Sequence, residues 1–181
     1  MTADGLNRVL LVGFMGSGKT SVGRTLADRL GWRFIDFDNA IEKAAGASIP
    51  ELFEKRGEQY FRSLEATVSE RLLSEMRVVL GSGGGWGSVP GRLTALPSGT
   101  DSFWLRVSAP TAISRTAEEP GARPLLDRDD ALREASRLLA MRDPIYGQAR
   151  WAVDTEHSSV EDVTSRILDI LLREHPEILT S

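Results

Sequence analysis

Residues Gly13 to Thr20 read GFMGSGKT and constrain this chain more than any others, because they complete the pattern G-x-x-x-x-G-K-[S/T]. An apolar run, Val9-Leu10-Leu11-Val12, precedes the motif and suits a buried parallel strand. Ser21 to Leu30 follow it, with Val22, Leu26, Ala27 and Leu30 at helical spacing. Strand, glycine loop and helix form the setting in which such a loop holds phosphate. Gly13, Gly16 and Gly18 let backbone N–H groups turn inward around an anion. The helix N-terminus adds partial positive charge. The pattern makes Gly13, Gly16, Ser17, Gly18, Lys19, Thr20 and Ser21 the expected nucleotide contacts. Lys19 is expected to reach the β- and γ-phosphates, and the Thr20 hydroxyl to ligate Mg²⁺.

The remaining chain alternates strand and helix signals, as a parallel sheet covered on both faces requires. A second strand is expected at Arg33–Asp36, after a helix stop at Gly31. Ser48-Ile49-Pro50-Glu51 reads as a capping box opening a short helix. A longer helix is expected over about Glu58 to Glu75, with Phe61, Leu64, Val68, Leu72 and Met76 near one stripe. Val78–Leu80, Phe103–Val107 and Trp151–Val153 read as further strands. Glu118 to Asp130, polar and punctuated by Pro and Gly, reads as a mobile loop. A helix is then expected from Asp130 to Arg142, stopping before Pro144, and a last one runs from a cap at Ser159 to about Glu174. No repeat or linker divides the 181 residues, so one α/β domain spanning 1–181 is expected.

Composition narrows the function classes. A net charge of −4 without a dense Lys/Arg patch argues against a nucleic-acid surface. No apolar run approaches the roughly 18 residues that span a bilayer, and the start MTADGLN has no signal core, so a cytoplasmic protein without a membrane role is expected. With no cysteine and only His157 and His175, disulfides and thiolate metal sites are excluded and a zinc site is improbable. No long apolar stripe is left after the core is assigned, which favours a monomer.

Ligands of such sheets bind at the carboxyl ends of the strands, and two features fall there. Asp36 and Asp38 close the second strand in Phe34-Ile35-Asp36-Phe37-Asp38. One carboxylate suits a water-mediated hold on Mg²⁺, and the other suits orienting or deprotonating an acceptor hydroxyl. Asp38 is equally suited to N-capping the helix of Ile41 and Ala44. Gly83, Gly84 and Gly85 follow the third strand, where missing side chains allow close approach to backbone N–H groups or simply a turn. Arg62 and Arg142 are ambiguous, solvated helix residues being the usual reading, and Arg123 in the mobile loop suits phosphoryl transfer.

Taken together, GFMGSGKT, FIDFD, GEQYFRSLE, the triple glycine, RPLL and RDPIY resemble the shikimate kinases in order and approximate spacing, from about Val9 to Val153. The resemblance implies a five-stranded parallel sheet with flanking helices, a substrate-binding helical segment at about 38–66 and a lid at about 118–130. It implies transfer of the γ-phosphoryl of ATP to the 3-hydroxyl of shikimate, releasing ADP. It assigns the Mg²⁺ site to Thr20 and Asp36, and the catalytic roles to Lys19, Asp38 and Arg123. Arg62 and Arg142 match the pair that grips the substrate carboxylate, with Gly83, Gly84 and Gly85 alongside. Glu65 follows Arg62 by three residues, so on a helix it can orient that arginine. Ile49, Phe53, Phe61 and Leu125 match ring-walling positions, and Arg115 matches a residue that packs on adenine. Two departures stand out: Trp86 follows the glycines where the family has a small residue, and Asp154–Asp162 matches the adenine-side loop poorly. An indole at 86 either crowds the substrate or packs away from it. A kinase for another hydroxy acid such as gluconate, or a non-catalytic nucleotide-binding regulator, remains the competing expectation.

Overall fold

The computed structural model describes residues 5–83, 85–117 and 128–180. Five strands, β1 (Arg8–Val12), β2 (Arg33–Asp36), β3 (Val78–Gly81), β4 (Thr100–Arg106) and β5 (Trp151–Asp154), form one sheet in the order β2-β3-β1-β4-β5, every pairing parallel. The helices are α1 (Lys19–Leu30), α2 (Phe37–Ala45), α3 (Ile49–Leu73), α4 (Ala109–Ala117), α5 (Arg128–Tyr146) and α6 (Val160–Glu174). Among the described residues no helix is long and apolar enough to cross a membrane.

The central strand shows how the sequence builds the layers. All of β1 is buried, and its side chains alternate between the faces of the sheet. Val9 and Leu11 join Val22, Leu26, Val163 and Ile167 beneath α1 and α6. Leu10 and Val12 join Phe37, Ile41, Leu52, Phe61, Leu72 and Trp86 beneath α2 and α3. A third cluster, Phe14, Ala109, Ala112, Ala135 and Leu139, packs α4 and α5 against the glycine loop. Both sides of the loop are thereby anchored in core.

The helix boundaries follow local chemistry in most places. Ser48 and Glu51 form a reciprocal capping box at the start of α3, and Ser159 and Asp162 form another at α6. The short and long helices expected after Ser48 are two arms of α3, joined by a kink at Gly57 (φ 78°, ψ 170°).

Four expectations are corrected. Helix α3 ends at Leu73, so Met76 is 62% exposed instead of completing the stripe; the chain turns there to feed β3. Helix α5 starts at Arg128 and runs through Pro144 to Tyr146. Proline removes one backbone donor, but Gly147 N–H still reaches Asp143 O at 2.8 Å, and fully buried Tyr146 anchors the last turn against Trp104. Helix α4 was not anticipated; its apolar stripe is short, and Ala109 and Ala112 supply the buried face. Finally, Asp36, not Asp38, is the N-cap of α2, accepting from the N–H groups of Asp38 and Asn39. The expected lid lies outside the described residues from 118 to 127, and its last three positions, 128–130, are helical.

Candidate active site

The glycine loop leaves β1 and enters α1 as expected. Gly13, Gly16 and Gly18 have φ of 146°, 68° and 91°. At Gly16 the need is steric as well as conformational, since a Cβ would lie 2.6 Å from Ala112 O of α4. The loop is pressed onto that helix and has no room for a side chain there. The Lys19 ammonium donates to Gly13 O and Phe14 O, each at 2.8 Å, and so lies against the loop's own carbonyls. Arg115 of α4 donates to Gly16 O at 3.2 Å and to Thr155 O at 2.6 Å. It thus ties the phosphate loop to the segment after β5.

That segment is also held by Glu156, a residue the sequence reading missed. Its carboxylate accepts from the Ser108 N–H at 2.8 Å, the Ser108 hydroxyl at 2.6 Å and the Thr111 hydroxyl. These bonds favour the ionised form and hold Glu156 at about 2. The only sequence signal was Ser-Ala-Pro-Thr at the start of an unanticipated helix.

The two aspartates at the end of β2 do different work. Asp36 Oδ1 caps α2, while Oδ2 lies 3.4 Å from the Thr20 hydroxyl, which donates to it. Two hard oxygen ligands therefore meet at the foot of the phosphate loop, a donor set that suits Mg²⁺ held jointly with a nucleotide. Asp38 sits in the first turn of α2, facing the end of β3. A Cβ on Gly83 would lie 2.2 Å from Asp38 Oδ1, so glycine alone lets this carboxylate occupy its position. Burial first, and then the neighbouring Asp36 charge, push Asp38 up to about 6 against the opposing pull of Lys19. Glu65 and Glu42 add smaller upward pushes. A carboxylate tuned this way is ionised at pH 7 yet more basic than an exposed one.

Across the glycines stands Arg62 of α3. A Cβ on Gly85 would be 3.4 Å from its Nη1, an ordinary contact. Arg62 is 44% exposed at the side chain and donates to Glu65 at 3.3–3.4 Å and to Glu58 at 3.4 Å. Phe61 is buried beneath it, with Phe53 stacked on Phe61 at 4.6 Å between centroids. Ile49 is partly buried against the core on the same side of the sheet. Trp86 packs away from the glycines, 3% exposed, with its ring edge-on to Phe37 at 5.2 Å. Arg142 of α5 lies over the Phe14 ring at 5.6 Å, beside the phosphate loop. Helix α5 also packs on the helical turn Trp86–Ser88 that follows the glycines. Loop, aspartates, Arg62 and Arg142 therefore border one face of the molecule, at the carboxyl ends of β1, β2 and β3. Gly84, Arg123 and Leu125 lie outside the described residues.

Known proteins resemble this chain over most of its length. A family model described as shikimate kinase matches residues 15–172. A curated shikimate kinase from Synechococcus sp. strain RCC307 is 44% identical over 161 residues, covering 89% of this chain and 82% of its own. Another, from Persephonella marina, is 37% identical over 163 residues, covering 90% and 98%. Among solved structures, the shikimate kinase from Acinetobacter baumannii in complex with shikimate superposes with a TM-score of 0.83 at 36% identity, over 93% of this chain and 94% of that one. A gluconokinase from Sinorhizobium meliloti superposes at 0.64 with 20% identity over 96% of each chain, a likeness of fold alone.

Proposed function

Because this chain belongs to the shikimate kinase family, we propose that it transfers the γ-phosphoryl group of ATP to the 3-hydroxyl of shikimate, giving shikimate 3-phosphate and ADP. One observation carries the reading: the part-buried Asp38 carboxylate is packed against Gly83, two residues before Gly85, where Arg62 makes its contact. An acceptor hydroxyl held there has a base on one side and the nucleotide phosphates on the other.

The residues divide the work by charge. Gly13, Gly16, Ser17, Gly18 and Ser21 surround the phosphates with backbone donors and hydroxyls. Lys19 exchanges its loop carbonyls for phosphate oxygens and offsets charge on the transferring group. Thr20 and Asp36 would hold Mg²⁺, which when bound would draw charge from the phosphate oxygens. Asp38 orients the acceptor hydroxyl and takes its proton as the new O–P bond forms and the bond to the ADP oxygen breaks. Arg62 and Arg142 grip the substrate carboxylate, the planar guanidinium fork matching its geometry. Phe61 walls the ring, Glu65 orients Arg62, and Gly83, Gly84 and Gly85 leave the substrate access to backbone. Arg115 borders the adenine. Arg123 supplies a further cation to the transferring phosphoryl group, an assignment resting on its sequence match.

ADP release coupled to a dye, measured over a panel of hydroxy acids, tests this reading. Turnover of shikimate with ATP and Mg²⁺ is expected. Turnover of gluconate with shikimate untouched overturns the substrate assignment, and no turnover of any acid overturns the enzyme.

A further inference from the structure

Glu65 is 2% exposed, yet it carries a carboxylate and faces two cations. Arg62 meets it from its own helix, and Arg92, from the chain after the glycines, reaches Glu65 Oε2 at 3.1 Å. The Arg92 guanidinium lies over the Trp86 ring at 5.2 Å and touches Trp86 O at 3.5 Å. The indole that departs from the family pattern is therefore the platform on which Arg92 rests. A buried carboxylate with one cation pairs with it and leaves no net charge. With two cations, the Glu65 charge is met from behind by Arg92, and the outward charge of Arg62 is left for an incoming anion. Glu58 offsets Arg62 only weakly, being 69% exposed and screened by water.

We infer that Arg92 is a positioning residue for the anionic substrate: by neutralising Glu65 it keeps Arg62 available to the substrate carboxylate. The inference rests on the assignment of Arg62 to that carboxylate. Arg92 touches neither the phosphate loop nor the aspartates in the contacts it makes with Glu65 and Trp86. Its effect should therefore fall on one substrate only.

The test is steady-state kinetics with each substrate varied in turn, on Arg92→Gln, Arg92→Lys, and Arg92→Gln combined with Glu65→Gln. Arg92→Gln should raise the shikimate KM about tenfold, with kcat and the ATP KM within about twofold of the native enzyme. Arg92→Lys, which keeps the charge, should recover most of that loss. In the double variant the uncompensated charge is gone, but so is the carboxylate that orients Arg62, and the shikimate KM should fall below that of Arg92→Gln without reaching the native value. An unchanged shikimate KM in Arg92→Gln overturns the inference, as does a double variant no better than the single one. Equal losses for both substrates also overturn it, since they indicate a merely structural arginine. If Arg92→Gln does not fold, Arg92→Lys and the charge-free double variant decide the matter by the same KM comparison. Arg62→Ala keeps the two readings apart: normal shikimate affinity there rejects the carboxylate assignment itself, whereas a large loss there with an unaffected Arg92→Gln rejects only the role of Arg92.

Discussion

Gly83→Ala is a mutation of one methyl group that should separate activity from stability. The new Cβ would stand 2.2 Å from Asp38 Oδ1, 3.0 Å from its Cγ and 3.3 Å from its other oxygen. An ordinary contact is about 3.4 Å, so the carboxylate must retreat by roughly 1 Å. Gly83 is not among the glycines with positive φ, and alanine there adds no backbone strain. The obstacle is the end of a side chain, which can rotate away at a cost of about 1 kcal/mol. Folding should then lose little, with a Tm change of a few degrees. Catalysis should lose much more. A displacement of about 1 Å in a group that must meet a reacting hydroxyl costs on the order of a hundredfold, or about 2.7 kcal/mol of barrier. Gly85→Ala is the internal comparison, since its Cβ would meet Arg62 at 3.4 Å and force no retreat; its loss should be the smaller. The assay is kcat from coupled ADP release beside a thermal melt of each variant. A Gly83→Ala enzyme with kcat within twofold of native would show that the position of Asp38 does not matter to the reaction.

Two further outcomes are expected. Asp38 is raised from 3.8 to about 6, so the folded protein binds this proton more tightly than the unfolded chain, and the residue costs stability as pH rises through that window. The activity profile should show an acid limb near pH 6, and Asp38→Asn should lose most turnover yet melt higher than native at pH 7, the gap closing toward pH 4. Calorimetry giving the same gap at both pH values rejects this account. Arg142→Ala should weaken shikimate binding by about tenfold to a hundredfold with ATP binding little changed, and Arg142→Lys should recover only part, since an ammonium lacks the planar fork. Titration calorimetry finding normal shikimate binding but lost ATP binding moves Arg142 to the nucleotide side, beside Phe14 of the loop.

Features encoded within a few residues could be read from the chain alone. The phosphate loop is one continuous segment whose glycines carry their own conformational demand, so its place between β1 and α1 was legible. The capping boxes at Ser48 and Ser159 were legible because each pairs residues three apart. The alternation of strands and helices needed only local periodicity. Features that depend on residues distant in the chain were settled only by its folding. Folding set the strand order, and through it brought Gly83 against Asp38. It made Asp36 the cap of α2, a place the sequence had offered to Asp38, because the turn from strand to helix comes two residues earlier. Buried Tyr146 carried α5 through a proline that local rules would have it stop at. Trp86 turned inward to meet Phe37, and only that orientation puts Arg92 over its ring and onto Glu65. Capping and turn energies act along the backbone and can be read from it. Burial and charge compensation act through space, between groups the chain brings together only once it has folded.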